Sequence, residues 1–186
     1  MRDAAARPAR RGRKTLGLPR RAKTIAGRAR KTGGRPRRSI EVTAAGLRMP
    51  PWRTRLARFI LRALREAGYE EWDVSVLLCG DERMADLNGR YRGRKGPTDV
   101  LSFPREETVR PGRVEGDLAI SLPTLRRNAS AYGCTPDEEL KRLAVHGLLH
   151  LAGMDHGSGR TGPMFSLQEQ LLEALRNEHI IGERKK

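Results

Sequence analysis

Residues 146–156 read His-Gly-Leu-Leu-His-Leu-Ala-Gly-Met-Asp-His and hold three of the chain's four histidines. His146 and His150 are four apart, so on a helix they lie one above the other on one face. Two imidazoles so placed can grip one zinc ion. Gly153 follows three residues later, and glycine leaves a helix through a left-handed conformation at little steric cost. The chain can then turn and bring His156 back toward the other two. Three nitrogen ligands with an open fourth position describe a catalytic zinc site, not a closed structural one. No cysteine cluster or carboxylate set competes for the role. The spacing predicts one zinc ion per chain, held by His146, His150 and His156 at the C-terminal end of a helix.

A three-histidine site lowers the pKa of a bound water to about 7 and polarises a phosphoryl oxygen. The spacing also matches the metzincin peptidase pattern H-E-x-x-H-x-x-G-x-x-H. Here the second position is Gly147, where those peptidases carry their general base. A metzincin-like metallopeptidase would have to draw its base from elsewhere. No other residue stands out as a general base. Asp155 adjoins His156 and reads equally as a carboxylate orienting a ligand or as a turn residue. Asp99 and Asp117 read as structural hydrogen-bonding groups. His179, beside Asn177 and Glu178, reads as a solvated side chain.

The elements that position these residues follow from periodicity. Ile40 to Ala45 alternates as a first strand. A helix opens at Pro50-Pro51, buries Leu56, Phe59, Ile60, Ala63 and Leu64, and ends at Gly68. Its arginines, Arg53, Arg55, Arg58, Arg62 and Arg65, read as a solvated face with no RNA binding assigned. Val74 to Cys79 is a second strand. Asp81 is expected to cap a helix that gives way near Asn88-Gly89, followed by a turn-rich loop over 93–97. Thr98 to Phe103 and Val114 to Ser121 are two further strands, with a hairpin connection between them and Gly116 interrupting the second. A short helix follows Pro123. Thr135-Pro136-Asp137-Glu138 opens the histidine helix with a capping box. A last helix spans Phe165 to Ile180. The count predicts an α+β domain: a single small four-stranded mixed sheet packed with about five helices.

The net charge is +16, and residues 1–38 hold fifteen Lys and Arg against one acid, Asp3. Residues 39–186 carry the remaining +2. The basic stretch 1–38 has no aromatic residue and is expected to be a disordered extension to an enzyme domain spanning 39–186. It reads as a phosphate-following arm, an Arg-rich transit segment, or a start-site artefact, with targeting the least favoured. No apolar run approaches ~18 residues, so no membrane span is expected. Cys79 and Cys134 are far apart and read as idle thiols.

Three blocks carry a family resemblance. The first is the histidine motif. The second is Leu87-Asn88-x-x-Tyr91-Arg92, then Pro97-Thr98-Asp99-Val100-Leu101-Ser102-Phe103-Pro104. The third is Gly116-Asp117-Leu118-Ala119-Ile120-Ser121. In this order, over about residues 40–180, they resemble the YbeY family of bacterial endoribonucleases. The resemblance implies a zinc-dependent, single-strand-specific endoribonuclease of the cytoplasm. It implies partners in ribosomal RNA and the small ribosomal subunit, a role in maturing the 3′ end of 16S rRNA, and one in ribosome quality control. No DNA partner is expected. It also implies that His146, His150 and His156 bind the zinc and that Arg92 is catalytic. Charge clustering alone would leave Arg92 a surface arginine beside Arg90, Arg94 and Lys95, although its planar fork suits phosphate. The alternatives are the peptidase and a non-catalytic ribosome-assembly factor with structural zinc.

Overall fold

A computed structural model describes residues 38–105, 111–156 and 162–182. Its elements, in chain order, are β1 (Arg38–Ala45), α1 (Arg53–Glu66), β2 (Glu71–Cys79), α2 (Asp81–Arg92), β3 (Val100–Pro104), β4 (Arg113–Ser121), α3 (Leu122–Tyr132), α4 (Pro136–Leu151) and α5 (Pro163–Ala174). The expected α+β architecture is the one observed. The sheet runs β1-β2-β4-β3, with β1, β2 and β4 parallel and β3 antiparallel to β4. The basic stretch and its expected disorder lie outside the described residues, except for Arg38. That residue opens β1, donates from Nε to the Glu70 carbonyl at 2.9 Å, and lies over the Trp72 ring.

The two central strands are buried on both faces, so they are longer than a simple alternation suggests. Val74, Val76, Leu78, Leu118 and Ile120 point to one side and meet α1, α4 and α5 in the main core. Leu77, Cys79, Leu101 and Ala119 point to the other side, under Met84 and Leu87 of α2. Each large apolar side chain so buried stabilises the fold by about 1.5–3 kcal/mol.

Several local expectations are corrected. Gly80, not Asp81, caps α2, and the Asp81 carboxylate turns away. It accepts from Ser121 Oγ at 2.6 Å and Thr124 Oγ1 at 2.7 Å, and pairs with Arg127 at 2.7 Å. α2 also passes through Asn88-Gly89 and stops only at left-handed Gly93, with φ of 64°. The buried Asn88 is used for another purpose: its Nδ2 donates to the Gly96 carbonyl at 3.0 Å and ties the following loop to the helix. Gly116 does not interrupt β4. It sits at φ 150°, where a Cβ would come within 2.4 Å of the Phe103 carbonyl and 2.8 Å of Leu151. Only glycine lets the C-terminal end of α4 seat against the β3–β4 pair. The last helix ends at Ala174, and the chain continues to the buried Ile180 without helical structure. α3 runs eleven residues, longer than the short helix expected.

Candidate metal centre

α4 starts as its sequence demands. Thr135 and Glu138 form a reciprocal capping box with Pro136 in the first turn. The helix then presents His146 and His150 on successive turns of one face. Its C-terminus closes as a Schellman motif: Gly153 N–H donates to the His150 carbonyl and Met154 N–H to the Leu149 carbonyl, both at 3.0 Å. Gly153 has the left-handed φ of 83° that this requires. The turn brings His156 back, with its ring centroid 5.4 Å from that of His146 and 5.2 Å from that of His150. One ring nitrogen from each of the three histidines lies within 4.8 Å of the others. The expected trio is therefore one cluster, at the end of a helix as expected.

The hydrogen bonds select which nitrogens face inward. His146 Nδ1 lies 3.0 Å from Gln168 Oε1, and His150 Nδ1 lies 3.0 Å from the Met154 carbonyl. Both partners are acceptors, so both Nδ1 atoms carry the proton and both Nε2 atoms keep their lone pairs. Those two Nε2 atoms lie 3.2 Å apart. Two lone pairs facing each other are an arrangement that a shared cation satisfies. Burial holds the His146 imidazole below its usual pKa, against the raising effect of Gln168. Burial, with the neighbouring His146 and His156, does the same at His150. The rings are held neutral, the form that binds metal. The donor set fits a zinc ion.

Gln168 was not legible as a site residue. It lies on α5, is buried, and its own Nε2 donates to Glu169 Oε1 at 3.2 Å, which fixes the amide with its oxygen toward His146. The available signal was a glutamine in the otherwise apolar stripe Met164, Leu171 and Leu175. Arg142 lies one helical turn before His146. Its Nε and Nη2 donate to the two oxygens of buried Glu139 at 2.7 and 2.6 Å.

Gly147 faces the sheet. A Cβ there would lie 2.7 Å from a Leu118 methyl and 3.4 Å from Ser102 Oγ. The position of the peptidase general base is thus a packing contact with no room for a glutamate.

The other candidates are placed as follows. Arg92 is the exposed last residue of α2, with Arg90, Arg94 and Lys95 also exposed. It makes no hydrogen bond or ion pair to the histidines among the described residues. Tyr91 packs edge-on against Phe103 of β3, with centroids 4.9 Å apart. Asp99 is structural, accepting from Val100 N–H at 2.8 Å and Asn128 Nδ2 at 3.0 Å. Asp117 is buried on β4, and Asp155 is exposed beside the trio. His179 is 77% exposed and 3.9 Å from Asp137, away from the trio. Both cysteines are free, and burial pushes the Cys79 thiol up to about 11, an inert form. No described helix is long and apolar enough to cross a membrane.

Residues 47–176 match the family model described as Endoribonuclease YbeY. Among curated relatives, a Treponema pallidum (strain Nichols) protein named Endoribonuclease YbeY is 37% identical over 139 residues, covering 72% of this chain and 87% of that protein. One of the same name from Thermobifida fusca is 44% identical over 131 residues, covering 66% and 83%. The solution structure of TM1509 from Thermotoga maritima superposes with a TM-score of 0.55 at 25% identity, covering 80% of this chain and 99% of that one.

Proposed function

Since the chain belongs to the endoribonuclease YbeY family, we propose that it is a zinc-dependent endoribonuclease that cuts single-stranded ribosomal RNA. The observation that carries the reading is the convergence of three imidazoles, two with Nδ1 tied to an acceptor and Nε2 left for a ligand. His146, His150 and His156 would hold the ion, one per chain. When bound, zinc supplies Lewis-acid stabilisation of phosphoryl charge and acidification of water.

The chain's own residues do the rest. Gln168 and the Met154 carbonyl fix the imidazole orientations. Arg92 contributes a permanent positive fork on a projecting helix end, suited to a phosphoryl oxygen as charge builds in the transition state. The exposed Arg90, Arg94 and Lys95 add positive field around it. The absence of room at Gly147 disfavours the peptidase reading. Within the cell the proposed setting is the cytoplasm, on the small ribosomal subunit, in maturing the 3′ end of 16S rRNA and in ribosome quality control. The basic stretch 1–38 is proposed as a separate extension that adds only non-specific RNA affinity.

The deciding experiment incubates single-stranded RNA with the wild type and with His150→Ala, with metal content measured on both. Cleavage by the zinc-loaded wild type alone is expected. Equal cleavage by a metal-free, folded His150→Ala protein would overturn the assignment.

A further inference from the structure

The arginines of α1 do more than face solvent. Arg55, Arg58 and Arg62 line one side of a cavity of about 190 Å³. The floor is apolar, from buried Phe59 and Ile180, and the far wall is Glu178 and His179. The hollow is large enough to seat a phosphate group.

The far wall is fixed in place. Asp137, at the start of α4, accepts from Ile180 N–H at 2.8 Å and Ile181 N–H at 2.7 Å, and pairs with Lys141 at 3.0 Å. Among the described residues of the lining, the arginines outnumber the acids. Glu178 is the one acid of the lining, and it is committed to Arg62. Arg55 and Arg58 have no ion-pair partner among the described residues. α1 holds five arginines and one acid, Glu66, within a region 39–186 whose net charge is only +2. Two guanidinium groups with no ion-pair partner among the described residues, set over a preformed hollow, are a site for an anion with several acceptor oxygens.

We propose that this cavity is a second RNA contact that holds one backbone phosphate remote from the histidine centre. The location sets its role. Asp137 and His150 are thirteen residues apart on α4, about 20 Å at 1.5 Å per residue. A phosphate held there belongs to a nucleotide several steps from the bond being cut. Such a contact raises affinity and sets how the strand lies, and it leaves the chemical step unchanged.

The inference rests on the RNA-cleaving reading, so binding is measured apart from cleavage. The probe is a 2′-O-methyl single-stranded RNA of about a dozen nucleotides, checked to be intact after each titration. For Arg55→Ala/Arg58→Ala the dissociation constant should rise about five-fold near 0.1 M salt, and the salt slope should flatten by about 0.7 per phosphate lost. On a cleavable RNA, KM should rise with kcat unchanged. Arg58→Gln, at an exposed position, gives a milder version if the double variant melts early. Inorganic phosphate should compete only in the millimolar range. Unchanged affinity and slope in a folded double variant would overturn the contact while leaving the nuclease reading intact. Displacement by micromolar phosphate would mark a free-anion site and overturn the RNA assignment. Loss of RNA binding in these variants of a protein that cuts no RNA would sink the nuclease reading alone.

Discussion

Gln168 accepts a hydrogen bond from Nδ1 of His146, 22 residues away in sequence, at 3.0 Å. The buried amide is oriented by Glu169, so His146 is held in the tautomer that presents Nε2. Gln168→Met should keep the packing volume and lose the acceptor. Zinc affinity should fall about 10–100-fold, the usual cost of removing such a partner. Gln168→Glu keeps an acceptor and should hold zinc at least as well as the wild type. Competition with a chelator reads both. Equal affinity in all three proteins would show that the contact does not orient the ligand.

Gly147 should tolerate almost nothing. Gly147→Ala places a methyl 2.7 Å from Leu118 and should cost about 1–3 kcal/mol in urea unfolding, as overpacking does. Gly147→Glu would restore the peptidase pattern on paper. It should unfold the domain or distort the helix, and give no casein cleavage. A stable Gly147→Glu protein that cuts casein would show that the glycine is not a packing residue.

Arg92 separates chemistry from folding. It is exposed and makes no ion pair among the described residues, so Arg92→Ala should leave zinc content and melting temperature unchanged. RNA cleavage should fall about 10²-fold, the scale of a lost transition-state contact. Arg92→Lys should recover only part, since an ammonium lacks the bidentate fork. Full activity in Arg92→Ala would return this residue to the surface.

The histidine trio was legible because its information is local. Helix spacing fixes His146 and His150, and the conformation of one glycine fixes the return of His156. The strands and their class were legible for the same reason. What was missed depends on contacts distant in sequence. Asp81 has the side chain of an N-cap, but Ser121, Thr124 and Arg127 capture it from forty or more residues away. In sequence alone Gly89 reads as a helix end. The helix tolerates it, at a cost of about 1 kcal/mol, because Asn88 anchors the loop beyond. Gln168 could be placed beside His146 only by the packing of α5 on α4.

Asp81 also sets an acid limit. The Arg127 hydrogen bond, aided by those of Ser121 and Thr124 against some desolvation, lowers its pKa from 3.8 to about 2. The folded pKa is depressed, so the stabilisation is fully present above pH 3.8 and is lost as pH falls toward 2. Its side chain is 30% exposed, which limits the contribution to about 1 kcal/mol. Asp81→Asn should therefore be less stable than the wild type by about that much at pH 6, with the gap closing near pH 2. Urea unfolding at the two pH values tests it. A gap of the same size at both would show that the charge of Asp81 is not what joins α2 to α3.

The last prediction concerns the basic stretch before β1. Residues 1–38 hold fifteen of the 38 Lys and Arg, and the histidines and all three sequence blocks lie downstream. A truncated chain should begin at Arg38, not later, because Arg38 bonds Glu70 and covers Trp72. Compared with the full chain, it should keep its zinc, its melting temperature and its choice of cleavage site. Its RNA affinity should drop at low salt, and its salt dependence should flatten, since each neutralised phosphate releases counterions. Combining this truncation with the α1 variants should flatten the slope further, because the two sets of cations contact different phosphates. A truncated protein that loses zinc or melts early would show that the basic stretch packs on the domain. Identical affinity and slope in the two chains would remove it from RNA binding altogether.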